Sequence, residues 1–140
     1  TLLRDAARLI SKAGHTVALA DERGELAACR AGVPTLDVGE RTDVMDMCTK
    51  RLAIAHMVRA LRPDVVVTDE VGDREDAAAV LDARRCGAAV LASAHAARVQ
   101  EAARRPALAA MLSVGAFDFV ARIEGGLGRI ASLEAWRGSA

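Results

Sequence analysis

The stretch DVVVTDE, residues 64–70, determines the fold class predicted for this chain. Its apolar run 65–67 is β-branched, follows Pro63 and is closed by two acids, which is typical of a buried strand in a parallel sheet. Helical apolar spacing over residues 51–61 precedes it, and an alanine-rich helix over 74–86 follows it. A strand between two helices predicts an α/β fold, whose sites lie beyond the carboxyl ends of the strands.

The same alternation of helix and strand extends upstream of this stretch. Apolar residues recur at helical spacing over residues 2–13, and Gly14 is a typical residue for ending a helix. The run HTVALA, residues 15–20, then predicts a buried strand that carries two acids at its carboxyl end. Residues 32–49 have no clean period, so we expect them to form a long ordered loop, and loops of this length tend to be functional.

Downstream, the alternation continues and then gives way to a β appendage. Residues 88–95, AAVLASAH, predict a third buried strand. Two short helices are expected over residues 97–104 and 107–113, separated at Pro106. The segments FDFVARIE and GRIASLEAW flank a glycine-rich turn, which predicts a C-terminal antiparallel hairpin over residues 115–136.

Composition restricts the class of protein. With 140 residues, 52% of them hydrophobic, we expect one domain over residues 1–140. The 19 basic residues balance 19 acidic ones, so no overall positive charge indicates nucleic acid or an anionic membrane as a partner. Three cysteines without close spacing predict neither a disulfide framework nor a zinc site, which indicates a reducing, cytoplasmic setting. No apolar run approaches the about 20 residues that span a membrane, so no direct insertion is expected.

The two acids that close DVVVTDE are the strongest chemical signal. A P-loop ATPase needs a buried strand to hold two acids near the γ-phosphate of ATP, one for Mg²⁺ and its waters and one for the attacking water. Asp69 is therefore the candidate magnesium ligand, through water, and Glu70 is the candidate base. Apolar strands that end in Asp-Glu also occur in receiver domains and other doubly wound proteins, so the motif alone leaves a purely structural role open.

The amino terminus favours the ATPase interpretation. In the Walker A loop, GxxxxGK[ST], backbone N–H groups cradle the phosphates at the start of a helix. Thr1 and the residues that follow look like the continuation of such a loop, which makes residues 1–14 the helix after it and Thr1 a candidate cofactor-binding residue. Since Thr1 is not methionine and helical pattern begins at once, we expect a fragment that starts just after the loop lysine and by itself binds ATP poorly.

Five segments, in order and spacing, resemble the stage III sporulation protein AA family from Thr1 to about Ile123. They read TLLRDAAR, ALADERGELAA, DVGERTDVMD, DVVVTDEVGDREDAAAV and ASAHA. That family is similar to the hexameric secretion and pilus-retraction ATPases, which add an acidic "Asp box" and a "His box" to Walker A and B. The resemblance implies a RecA-like P-loop NTPase core, of the broader AAA+ type, that uses ATP and Mg²⁺.

The resemblance also assigns residues at two other strand ends. Asp21 and Glu22 match the Asp box, which implies a carboxylate that positions the lytic water or the outer shell of the metal. A solvated surface turn, DERGE, is the structural alternative. His95 matches the His box, where an imidazole or hydroxyl senses the γ-phosphate. A histidine with only a structural hydrogen bond is the alternative there, and which of Glu22 and Glu70 is the base stays open.

Arg41, in the segment RTDVMD of the long loop, is a candidate arginine finger that a neighbouring subunit presents in trans. Arg23, Arg74 and Arg105 are rival candidates. With 17 arginines against two lysines, most of these side chains must be ordinary solvated surface.

The resemblance implies a motor that hydrolyses ATP to drive assembly or transport in endospore formation. It implies a homohexameric ring, membrane-bound channel proteins of sporulation as partners, and a cytoplasmic location on the mother-cell side, peripheral to the membrane. Two other classes remain as alternatives, a non-hydrolytic receiver or flavodoxin-like signalling module and a catalytically silent assembly subunit.

Overall fold

A computed structural model describes residues 2–126 and 128–136. The helices in these ranges are α1 (Leu2–Lys12), α2 (Lys50–Leu61), α3 (Arg74–Arg85), α4 (Val99–Ala102) and α5 (Pro106–Ser113). The strands are β1 (Val17–Asp21), β2 (Thr42–Asp46), β3 (Val65–Thr68), β4 (Ala89–Ala92), β5 (Phe119–Ile123) and β6 (Ile130–Ala135).

The central feature is a four-stranded parallel sheet with the order β2-β1-β3-β4. In its register, Val17 of β1 lies opposite Thr42 of β2 and Val65 of β3, and Val65 lies opposite Ala89 of β4. Strands β5 and β6 form a separate antiparallel pair. The predictions of a mixed α/β fold, a mainly parallel sheet and a C-terminal hairpin are therefore confirmed.

Both faces of the parallel sheet are covered, because successive residues of a strand point to opposite sides. On one face, Ala18 and Ala20 of β1 pack in a buried cluster with residues of α2 and α3. On the other face, Val17 and Leu19 pack against α1 and against the segment that follows β1. Every residue of β1 is buried, which explains the continuous apolar run 17–20 that precedes Asp21.

Strand β2 corrects the prediction that residues 32–49 form only a loop. Its sequence TDVMD contains two apolar residues, of which Val44 packs toward the α1 face and Met45 toward the α2 face. An edge strand pairs along one side only and needs few apolar residues. The apolar periodicity that reveals a buried strand is therefore too weak here to be read from the sequence.

Gly39 fixes the start of β2 against the first helix. Its φ is +96°, and an added Cβ would lie 2.4 Å from Ser11 Cβ and 3.2 Å from Arg8 Cα. The hydroxyl of Ser11, which is buried, accepts the N–H of Arg41 at 2.7 Å. The N–H of Val17 donates to the carbonyl of Arg41 at 2.9 Å, so this crossing also sets the beginning of β1.

We expect Gly39→Ala to lower the free energy of unfolding by about 2–4 kcal/mol, since the methyl group adds a steric clash to an unfavourable backbone conformation. Gly14→Ala is the matched control, because Gly14 has a φ of +100° but nothing within 4 Å of an added Cβ. It should cost about 1–2 kcal/mol, from backbone strain alone. Urea denaturation of the two variants measures the difference, and equal losses would contradict the close contact with Ser11.

Candidate functional site

Polar side chains gather where the strands of the parallel sheet end. Because Ala20 of β1 pairs with Thr68 of β3, the residues that follow them, Asp21 and Asp69, lie at the same edge. Thr68 pairs in turn with Ala92 of β4. Helix α1 begins near this edge, since the guanidinium of Arg4 in its first turn lies 3.4 Å from the carbonyl of Leu26, in the loop after β1. We call this the carboxyl edge.

Asp69 is a buried carboxylate with an unsatisfied oxygen. The residue is 7% exposed, and its Oδ1 has no hydrogen-bond partner among the residues that the structure describes. Burial raises the pKa of Asp69, against the opposing effect of the charge of Lys50. A buried polar atom without a partner costs free energy, and such atoms in native structures call for an explanation. Among the described residues, the Oδ1 of Asp69 therefore keeps the capacity for a further hydrogen bond.

Glu70, the next residue, has a strained backbone and polar neighbours. Its backbone has a φ of +43°, in the left-handed region, and its N–H donates to Ser93 Oγ at 3.0 Å. Its carboxylate lies 2.6 Å from Arg23 Nη1 and 3.1 Å from His95 Nε2. The hydrogen bond with His95 and the charge of Arg23 lower the pKa of Glu70. The structure therefore brings together Glu70 and His95, as the sequence predicted, and adds Arg23 to them.

Asp21 is at the same edge, but its carboxylate shapes the loop after β1. The residue is fully buried. Its Oδ1 accepts the N–H of Glu25 at 2.9 Å, and its Oδ2 accepts those of Leu26 and Ala27 at 3.0 and 2.9 Å. These hydrogen bonds occupy both oxygens. The structure thus gives Asp21 a role in the loop, and its assignment to the cofactor stays a prediction.

Lys50, which the sequence analysis missed, is a buried cation among the acids of this edge. Its side chain is 9% exposed, its Nζ donates to Glu22 Oε2 at 2.6 Å and lies 4.0 Å from Asp76 Oδ1. Burial acts to lower the pKa of Lys50, but the hydrogen bond to Glu22 and the charges of Asp76, Glu22 and Asp69 outweigh it, so the pKa is raised. The ammonium group therefore stays protonated.

A signal for Lys50 is present in the sequence. It occupies the first position of the buried stripe of α2, which continues through Ala53, Ile54 and Met57 at three-four spacing. A lysine on a buried stripe needs a carboxylate partner, because an unpaired buried charge is very costly. That requirement indicates a polar site near the start of α2.

The candidate arginine finger Arg41 lies away from this edge. Arg41 directly precedes β2, at the amino ends of the strands. There the hydrogen bonds from Thr16 lower the pKa of Asp64, and the charge of Arg41 adds to this effect. Arg41 is therefore at the edge opposite to Glu70 of the same chain. The rival Arg105 lies near the carboxyl edge and donates to the carbonyl of His95. Thr1, predicted to bind the cofactor, lies outside the described residues.

A cavity of about 320 Å³ opens beside Glu70. Its walls come from the turn after β1 and from the first residues of α2 and α3, and they include Arg23, Lys50 and Asp76. Within residues 2–126 and 128–136, no group of three or more His, Cys, Asp or Glu side chains is arranged to hold a metal ion. A metal at this edge would depend on other groups for most of its ligands.

The fold and the polar edge define an α/β protein whose parallel sheet carries an acidic site at the carboxyl ends of its strands. The sequence model of the family "Sporulation stage III, protein AA" matches residues 1–140. The chain is 38% identical over 123 residues to the "Stage III sporulation protein AA" of Bacillus subtilis (strain 168), a match that covers 84% of this chain and 40% of that protein. The chain therefore belongs to the stage III sporulation protein AA family.

The chain spans about two fifths of the length of this curated relative. No solved structure is significantly similar to the chain. Among the residues that the structure describes, no helix is both long enough and apolar enough to cross a membrane. The match to the family model and to the curated relative confirms the family membership predicted from the five segments.

We expect Asp69→Asn to stabilise the fold at neutral pH. Because burial raises the pKa of Asp69, ionisation costs more in the folded chain than in the unfolded one. That cost grows as the pH rises from the ordinary aspartate pKa through the raised one, and it is absent at lower pH. Removing the charge should increase the free energy of unfolding at pH 7 by about 0.5–2 kcal/mol, a gain typical of relieving one unfavourable group.

Urea denaturation of wild type and Asp69→Asn, at pH 7 and near pH 3, measures this difference. The gap between the two proteins should narrow in acid, where the wild-type carboxyl group is also neutral. Asp82→Asn, at an exposed position of α3, is the control for the loss of a carboxylate charge. A wild type that is more stable than Asp69→Asn at pH 7 would show that the carboxylate is structural.

Proposed function

We propose that the carboxyl edge is the hydrolytic half of an ATP site in a RecA-like motor ATPase. The observation that carries this proposal is the pair Asp69 and Glu70, a buried carboxylate with an unsatisfied oxygen beside an accessible one. The first helix starts near the same edge, where its N-terminus favours negative phosphate groups. His95, which lies after β4, contacts Glu70 directly, so a residue after a third strand belongs to the proposed site.

The residues present fit a magnesium–nucleotide complex. Mg²⁺ is usually held by one or two carboxylates together with waters and substrate phosphates, and this agrees with the lack of an all-protein cage among the described residues. Asp69 would help to hold the metal through water. When bound, magnesium supplies positive charge to the phosphate oxygens of ATP.

The phosphate loop itself is proposed to come from residues outside this chain. This is supported by the curated relative, which is considerably longer than its matched part. A loop directly before α1 would lie at the carboxyl edge, within reach of Asp69.

Glu70 is a better candidate for the base than Glu22. The carboxylate of Glu22 is hydrogen-bonded at 2.6 Å to the buried ammonium of Lys50. The partners of Glu70 are surface side chains, since those of Arg23 and His95 are 57% and 82% exposed. Exposed ion pairs contribute about 0–1 kcal/mol and are readily exchanged. Glu70 is therefore free to turn from Arg23 to a water molecule and orient it for attack, while His95 senses the γ-phosphate.

Hydrolysis at this edge would drive assembly or transport by the stage III sporulation machinery. We propose a homohexameric ring, associated through membrane-bound partners with the mother-cell side of the sporulation channel. Arg41 lies at the edge opposite to Glu70, so it acts as a finger only when a neighbouring subunit presents it.

In the full-length protein, Glu70→Gln should keep nucleotide affinity and lose about 10²–10⁴-fold in turnover, because the carboxylate acts on the attacking water rather than on ground-state binding. Steady-state ATP hydrolysis and equilibrium binding of a fluorescent ATP analogue measure the two effects. Glu134→Gln, at an exposed position of β6, is the matched control and should behave as wild type. If turnover is unchanged in Glu70→Gln, the base role passes to Glu22, and if wild type does not hydrolyse ATP, the silent assembly subunit is favoured.

ATP should also tighten the oligomer of the full-length protein, because a finger in trans adds a charge-assisted contact between subunits. Arg41→Ala should weaken this response while the subunit stays folded, since the side chain is exposed. Analytical ultracentrifugation with and without a non-hydrolysable ATP analogue measures it, with Arg59→Ala on α2 as the control. A wild-type shift in Arg41→Ala would exclude Arg41 and favour Arg23 or Arg105.

A further inference from the structure

Lys50 connects three segments of the carboxyl edge. Lys50 is the first residue of α2. Its Nζ contacts Glu22, in the turn after β1, and faces Asp76, in the first turn of α3. We propose that Lys50 is a positioning residue, whose ammonium group fixes the backbone segment from which Glu70 projects. This inference rests on the proposed ATPase function, because Glu70 is the base there.

The path from Lys50 to Glu70 runs through the carboxylate of Asp76 and the backbone N–H groups that this carboxylate accepts. One oxygen of Asp76, Oδ1, faces the ammonium group at 4.0 Å. The other, Oδ2, accepts the N–H of Gly72 at 2.9 Å and that of Asp73 at 3.4 Å. Gly72 is two residues from Glu70 in the chain. The ammonium charge thus holds the carboxylate that holds this backbone.

The far side of the same segment is fixed by Ser93, the residue that follows β4. The hydroxyl of Ser93 accepts the N–H of Glu70 at 3.0 Å, and the carbonyl of Ser93 accepts that of Val71 at 2.8 Å. Residues 70–73 are therefore held from two directions. Since Glu70 has a left-handed backbone, which persists only when the surroundings over-determine it, both sets of contacts are needed.

Stability alone is a weak reason for a buried lysine at this position. Replacing buried ion pairs by apolar side chains of similar volume is often neutral or stabilising, because desolvation of the charges is costly. Lys50 also lies at the N-terminus of α2, where the helix dipole disfavours a cation. A role in placing Glu22 and Asp76 accounts for the lysine in spite of both costs.

Hydrogen exchange of the full-length protein without nucleotide tests the structural step. In Lys50→Gln, the amides of Gly72 and Asp73 should exchange about tenfold faster, because the carboxylate of Asp76 that accepts them loses the positive charge facing it. Amides of the central strand β1 should be unaffected, and Lys12→Gln, at the exposed end of α1, should match wild type. Asp76→Asn keeps an acceptor for these N–H groups but loses its charge, so it should show the same loosening even if Lys50→Gln fails to fold.

Unchanged exchange at Gly72 and Asp73 in the folded variants would overturn the proposal. Because no nucleotide is present, this result is independent of whether the protein hydrolyses ATP.

ATP turnover tests the functional step. For Lys50→Gln we expect kcat to fall about 10²-fold, the cost of misplacing a catalytic group by roughly 1 Å. The KM for ATP should change by less than about threefold, because Lys50 acts through Glu70 and not on bound phosphate. Lys50→Arg keeps the charge and should recover part of kcat. A kcat per folded molecule equal to that of wild type, or a loss confined to KM, would show that Lys50 does not position the base.

If wild-type protein has no ATPase activity, the proposed function fails, and the exchange experiment still decides whether Lys50 fixes residues 70–73.

Discussion

The buried carboxylate of Asp21 is the interaction on which the rest of the site depends. It accepts three backbone N–H groups from the loop that follows β1, including those of Leu26 and Ala27. The loop therefore turns back at once, and these two residues enter the core on the α1 face. Glu22 and Arg23 remain at the carboxyl edge, where they meet Lys50 and Glu70. A buried carboxylate is stabilised when both of its oxygens accept hydrogen bonds, and those of Asp21 therefore fix the conformation of this turn.

Much of this architecture was predictable because its signals are local. The β-branched run 65–67 between two helical patterns predicts a parallel strand, and the carboxyl ends of parallel strands share one edge. That geometry was enough to expect Glu70 and His95 near each other, and the structure places them 3.1 Å apart. The C-terminal hairpin was equally local, since two alternating runs flank a glycine-rich turn.

The features that sequence analysis missed depend on contacts between distant segments. Strand β2 has only one apolar residue for each face of the sheet, so its pairing with β1 leaves little trace in its composition. Lys50 is buried by its packing at the start of α2, and its partner Glu22 is 28 residues away. The three N–H donors to the carboxylate of Asp21 become visible only once the loop has folded, so its role in this turn leaves no signal in the sequence. A charged residue on a buried face requires a partner of opposite charge, but only the fold determines which residue that partner is.

The left-handed backbone of Glu70 has an evolutionary consequence. A side chain in that conformation costs about 1–3 kcal/mol, whereas glycine adopts it freely. Selection for stability alone would therefore favour glycine here, and the proposed role of the carboxylate accounts for the glutamate. In duplicated genes released from the need for that carboxylate, the glutamate should be among the first residues of the edge to disappear. A glycine directly after the counterpart of Asp69 would then identify, from sequence alone, a paralogue that has kept the fold and lost the proposed base.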